Sequence, residues 1–118
     1  AMILCIRWML WKEIQSAFQP SREHLNGGGA IHGGALMSFA DFSLFSIAHN
    51  ALGGVKAVTL TCNCEFLSAG GLDGIVTSRG EMLRETRSLL FVRGIVTQSG
   101  RPLLAFSGTL KKMAAPRA

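Results

Sequence analysis

The 118-residue chain predicts an α+β fold, an antiparallel sheet of about five strands wrapped round one long buried helix. Three observations lead there. Residues 33–51 are apolar on nearly every side of a helix. Immediately afterwards the period of the apolar residues changes from 3.6 to 2. Strand-like segments then follow one another, separated only by a loop and short turns. A sheet of this size must bury one face, and the single helix is the only element able to cover it.

In chain order, the mixed pattern of Ile3–Phe18 fits either a first strand or a short helix, and reads mainly as strand. The helix carries Leu36, Met37, Phe39, Ala40, Phe42, Leu44, Phe45, Ile47 and Ala48, so it must be covered on most sides, by the sheet or by other subunits. The "LGG" of Leu52–Gly54 supplies its stop. In "VTLTCNCEF" the residues Val58, Leu60, Cys62, Cys64 and Phe66 alternate with Thr59, Thr61, Asn63 and Glu65, predicting a strand with one packed and one polar face. "SAGGLDG" is a loop. "IVTSRGEMLRE", "SLLFVRGIVTQ" and "LLAFSGTLKK" are three further strands, joined by turns at Thr86–Arg87 and at "SGRP", as in consecutive antiparallel hairpins.

One domain, residues 1–118, with no internal repeat or linker, accounts for the length. Hydrophobic residues make up 48% and charged residues 16%, which excludes disorder and leaves a polar surface thin for a monomer, so an oligomer is expected. The formal charge of +5 suits a polyanion, yet the basic residues are scattered. Neither an RNA-binding aromatic motif nor a basic amphipathic helix accompanies them, so a small phosphate-bearing ligand is favoured over nucleic acid or a membrane surface. Cys5, Cys62 and Cys64 are odd in number and lack zinc spacing, and are expected to be reduced core residues. The opening "AMILCIRWMLWKEI" is broken by Arg7 and Lys12 and has no signal-peptide core, which makes the cytoplasm the expected location. The apolar stretch Ala35–Ala51 contains Asp41, His49 and several serines, which argues against a membrane span.

The densest chemistry lies in "NGGGAIHGGALMSFAD", Asn26–Asp41. "HGG", His32–Gly34, directly precedes the helix, where free backbone N–H groups and the positive end of the dipole can polarise a carbonyl or hold a phosphate. A glycine-rich turn that merely caps the helix is the alternative. Asp41 interrupts the apolar stripe with a carboxylate costly to bury unpaired, which makes it a candidate general base or nucleophile; solvent exposure or a hydrogen bond to a neighbouring serine is the alternative. Nine residues at 100° each set Asp41 about 180° round and roughly 13 Å along from His32, so the two ends cannot easily meet on one substrate within one chain. They could meet across a two-fold axis. His32 either orders the loop or touches substrate. Asn26 either pins a turn or contacts a ligand carbonyl. Thr59, on the polar face of its strand, could be an ordinary β-former. His24 and His49 read as surface or structural.

These residues resemble a family, the hotdog-fold acyl-CoA thioesterases of the phenylacetate-pathway type. Its pattern of asparagine, a Gly-containing stretch, "HGG" and an acid eight residues after the first glycine of that pair is matched position by position. The resemblance continues through "AVTLTCNCEFLSAG" and "RETRSLLFVRGIVTQSGRPLLAFSGTLKK", covering roughly Phe18–Lys112. It implies a hotdog fold with five to six strands round the helix. It implies Asp41 as base or nucleophile on the thioester, the Gly33 N–H polarising the carbonyl, His32 and Asn26 positioning that end of the substrate, and Thr59 holding the water or the acid. It also implies a site between two subunits of a dimer that commonly pairs into a tetramer. CoA would lie along the surface near Gly34, Arg84, Arg87, Ser88 and Lys111, with an aromatic or medium-chain acyl group among Met37, Phe39, Phe42 and Phe45. No metal or cofactor is implied. The same fold could instead serve as a non-catalytic acyl-CoA binding or regulatory module. The chain departs from the pattern in "FLSAGG", which lacks a proline after the leucine, and in a short amino-terminal segment.

Overall fold

The apolar run after His32 forms one helix, α1, Gly33–Leu52, in a computed structural model that describes residues 13–114. Ile47 is the only β-branched residue in it, and alanine, leucine and methionine favour the helix. It stops where "LGG" places Gly53 in the left-handed region (φ 55°, ψ 34°), with the Gly53 N–H donating to the His49 carbonyl. The strands are β1 Ser16–Phe18, β2 Ala57–Phe66, β3 Val76–Glu85, β4 Leu89–Gln98 and β5 Arg101–Lys112. They form one antiparallel sheet in the order β1-β3-β4-β5-β2. This is the expected hotdog arrangement, with the sheet curled round α1. Most of the expected strand Ile3–Phe18, including Cys5, lies outside the described residues.

Ser99 and Gly100, at φ 52° and 78°, make a two-residue turn between β4 and β5 whose positive dihedrals match the twist of a tight hairpin. The turn is therefore shorter than the "SGRP" expected, and Arg101 and Pro102 belong to β5. Register breaks between Thr59 and Thr61, between Met82 and Arg84, and between Val96 and Thr97 mark bulges that bend the strands. Gly80 and Gly108 let the helix approach the curled sheet. A Cβ there would lie 2.6 Å from Ile47 Cδ1 and 2.5 Å from Leu44 Cδ1 respectively.

The core joins Leu36, Phe39, Ala40, Leu44 and Ala48 of α1 to Val76, Leu90, Val92, Val96, Leu103, Leu104, Phe106 and Leu110. The helical members recur at i, i+3, i+4, i+8 and i+12, which is one face. Coverage is thus one-sided rather than all round. Met37 and Phe42 on the far face are 45% and 60% exposed. No helix of the described residues is long and apolar enough to cross a membrane.

Candidate active site

Asp41 lies in the middle of α1, half-buried, and its Oδ1 accepts a 2.7 Å hydrogen bond from the Thr59 hydroxyl. The strict alternation expected for β2 would have turned Thr59 away from the core. The bulge at Leu60 breaks that alternation, so Ala57 and Thr59 join Cys62 and Cys64 as half-buried residues on the helix side. Val58, Leu60 and Phe66, expected to pack inward, are instead 43%, 52% and 53% exposed. The Cys62 and Cys64 sulfurs are 4.0 Å apart and free of disulfide. Burial, the neighbouring Cys64 and then the Asp41 charge push the Cys62 thiol up to about 12; burial and Asp41 also raise Cys64. Among the described residues no group of three or more His, Cys, Asp and Glu could hold a metal ion.

At the other end of this segment, His32 is the helix N-cap but supplies no side-chain cap. Its carbonyl accepts from the Ala35 and Leu36 N–H groups. The exposed Gly33 and Gly34 N–H groups, in the first turn, have no acceptor among the described residues, which leaves two donors at the positive end of the dipole. The Phe66 ring lies over Gly33, where a Cβ would come within 3.2 Å of its Cζ.

The approach to this helix start is tied down from several directions. Asn26 Oδ1 accepts from the Gly28 N–H (2.9 Å) and the Ala30 N–H (3.1 Å), so Asn26 pins the turn. His24 receives the Ser21 N–H on Nδ1 at 2.8 Å, and its carbonyl accepts the His32 N–H, which is the structural role expected. His49 lies exposed near the end of α1. The residue that sequence reading missed is Gln98. Only 3% exposed, it donates to the Gly71 and Gly74 carbonyls and accepts the Gly71 N–H at 2.8, 2.9 and 3.0 Å. The adjacent Gly70 carbonyl accepts the Ile31 N–H at 2.9 Å, one residue before the N-cap. Gln98 thereby anchors the loop against which the helix start is set.

Gly33 and Asp41 are eight residues apart on a regular helix, which separates them by about 12 Å. One chain does not bring the donor and the carboxylate together. Arg87, Ser88 and Lys111 do come together, lining an open hollow of about 1030 Å³ with Lys112, Val55, Val58, Leu60 and Met113. Arg84, exposed on β3, is not among its lining residues. Phe39 and Phe42 border a second hollow of about 520 Å³ with Phe18, Ala35, Ser38 and His24. Phe45 borders a third with Gln15, Ser46 and His49, and Met37 lines none of the three.

The sequence profile of the thioesterase superfamily matches residues 28–105. No curated protein sequence matches significantly. Among solved structures, a hypothetical thioesterase from Streptococcus pneumoniae TIGR4, determined with coenzyme A, is 25% identical; the alignment covers 86% of this chain and 78% of that one, with a TM-score of 0.73. A variant of the phenylacetic acid degradation protein PaaI from Thermus thermophilus is 29% identical, covering 82% of each chain at a TM-score of 0.72. The E. coli PaaI protein from the phenylacetic acid degradation operon shares the fold, at 22% identity, 84% and 71% coverage and a TM-score of 0.76.

Proposed function

The chain belongs to the thioesterase superfamily and is a thioester hydrolase, and from that premise we propose that one domain spanning residues 1–118 hydrolyses acyl-CoA thioesters bearing an aromatic or medium-chain acyl group. The observation that carries this reading is the Asp41 carboxylate, half-buried, held at 2.7 Å by Thr59, on the same helix whose start offers unpaired N–H groups. The thioester carbonyl oxygen sits on the Gly33 N–H, where the helix dipole favours the negative charge that develops there. Asp41 either draws a proton from the attacking water or attacks the carbonyl carbon itself. Thr59 fixes one carboxylate oxygen and leaves the other to react. His32 and the loop pinned by Asn26 set the angle of the donor end. The reaction leaves a carboxylic acid and the CoA thiol.

Because the two groups lie about 12 Å apart in one chain, Asp41 of one subunit serves the Gly33 of the partner subunit. β2 supports this pairing. It is an edge strand of ten residues with exposed Val58, Leu60 and Phe66, beside a helix face exposing Met37 and Phe42. A second copy placed edge to edge covers both, and two such dimers make a tetramer. The phosphates of CoA lie against Arg87, Ser88 and Lys111, with Arg84 on the same hairpin, while Gly34 borders the thioester. The bound CoA of the pneumococcal neighbour supports that ligand class. The hollow bordered by Phe18, Phe39 and Phe42 offers aromatic surface for the acyl group. The free thiols of Cys62 and Cys64 fit a cytoplasmic enzyme.

The test is thiol release from a panel of acyl-CoAs, with the wild type compared against Asp41→Asn and Asp41→Ala. Turnover of arylacetyl or medium-chain substrates that both substitutions abolish is expected. Turnover indifferent to both substitutions overturns the mechanism, and tight CoA binding without turnover makes the protein a binding module.

A further inference from the structure

Hydrolysis leaves unused the two thiols of β2. Cys62 and Cys64 both pack against the core from the helix side, both are half-buried, and their sulfurs stand 4.0 Å apart. Residues two apart on a strand are separated by about 6.5 Å at Cα with nearly parallel side chains, close to the limit a disulfide spans, so this spacing keeps the pair open. Two bonds of about 2.3 Å, a usual thiolate–metal length, still reach one shared atom across 4.0 Å. The described residues offer no third side chain to complete a metal cluster. The ligand must therefore be one that two sulfurs satisfy.

We propose that Cys62 and Cys64 form a bidentate site for a trivalent arsenic centre, inorganic or organic, whose occupation blocks hydrolysis at Asp41. The binding stands on the geometry of the thiols; the block rests on the reading of Asp41 given above. An aryl arsenoxide condenses with the pair. Two As–S bonds form, two S–H bonds break, and the oxide oxygen leaves as water with both protons, arsenic remaining trivalent. The raised Cys62 thiol makes the pair selective, because little thiolate is present at neutral pH for electrophiles that need one. Condensation that carries both protons away in water escapes that limit. The bound centre then sits on the helix-facing side of β2 that also carries Thr59, whose hydroxyl holds the Asp41 carboxylate at 2.7 Å.

Phenylarsine oxide tests this in Cys5→Ser protein by intact mass, alongside iodoacetamide at neutral pH. One arsenic per chain is expected in protein that iodoacetamide leaves largely unmodified, and acyl-CoA hydrolysis falls about a hundredfold. A dithiol reverses the loss and a monothiol does not. Cys62→Ala and Cys64→Ala each lose the adduct and the sensitivity, with the serine variants used where alanine disturbs the circular-dichroism spectrum. No adduct, or an adduct that survives in both single variants, overturns the site. An adduct with undiminished hydrolysis overturns the link to Asp41. An adduct on protein that hydrolyses no acyl-CoA leaves the site standing and refutes the proposed function instead.

Discussion

The start of α1 and its middle hold the groups proposed to react by opposite means. At Gly33 the group is a backbone N–H, exposed, and placed by contacts both near and far in the chain: the Asn26 turn, the Gly70–Ile31 hydrogen bond and the Gln98 clamp behind it. At Asp41 the group is a side chain, half-buried, carried on a rigid helix and steadied by one bond from Thr59. A backbone donor is robust to most substitutions at its own position and sensitive to its supports. A carboxylate is the reverse.

Substitutions on either side separate the two. Asp41→Asn keeps the size of the side chain and an oxygen for Thr59, yet removes the proposed base or nucleophile; kcat should fall about a thousandfold with little change in Tm. Gly33→Pro removes the N–H itself. His32 already has the extended conformation that a following proline requires (φ −53°, ψ 136°), proline suits the first helical position, and the exposed Phe66 can yield. Folding should persist and kcat fall about a hundredfold. Thr59→Val, which keeps volume and loses the hydroxyl, should lower kcat about tenfold through a less well-placed carboxylate, and Thr59→Ser should restore it. Gln98→Met comes last for activity. It should lower kcat about threefold with KM little changed, while unfolding experiments show a loss of about 3 kcal/mol from three part-buried hydrogen bonds.

Much of this was legible in the chain. The helix and its stop follow from the apolar run and Gly53, and the spacing of "HGG" and Asp41 points to the pair proposed to react. The inward turn of Thr59 was not legible, since a bulge at Leu60 leaves the alternation in "VTLTCNCEF" unbroken on paper while reversing its first half in space. That bulge is also why Val58 and Leu60, apolar and apparently core, face outward. Gln98 gave no signal because its partners lie 24 to 27 residues away in a loop with no pattern of its own. The helix was expected to be covered on most sides, and the sheet covers one; the open face with Met37 and Phe42 is a property of packing that periodicity alone cannot apportion between sheet and partner.

The central claim is that donor and carboxylate act across subunits, and complementation tests it most directly. Asp41→Asn and Gly33→Pro chains, each inactive alone, are unfolded together, refolded as a mixture and assayed for thiol release. In half of the dimers one site then combines an intact Gly33 with an intact Asp41, so activity should rise to about a quarter of the wild-type value. Activity that stays at the level of the separate variants, with mixed dimers demonstrated by mass, contradicts a shared site.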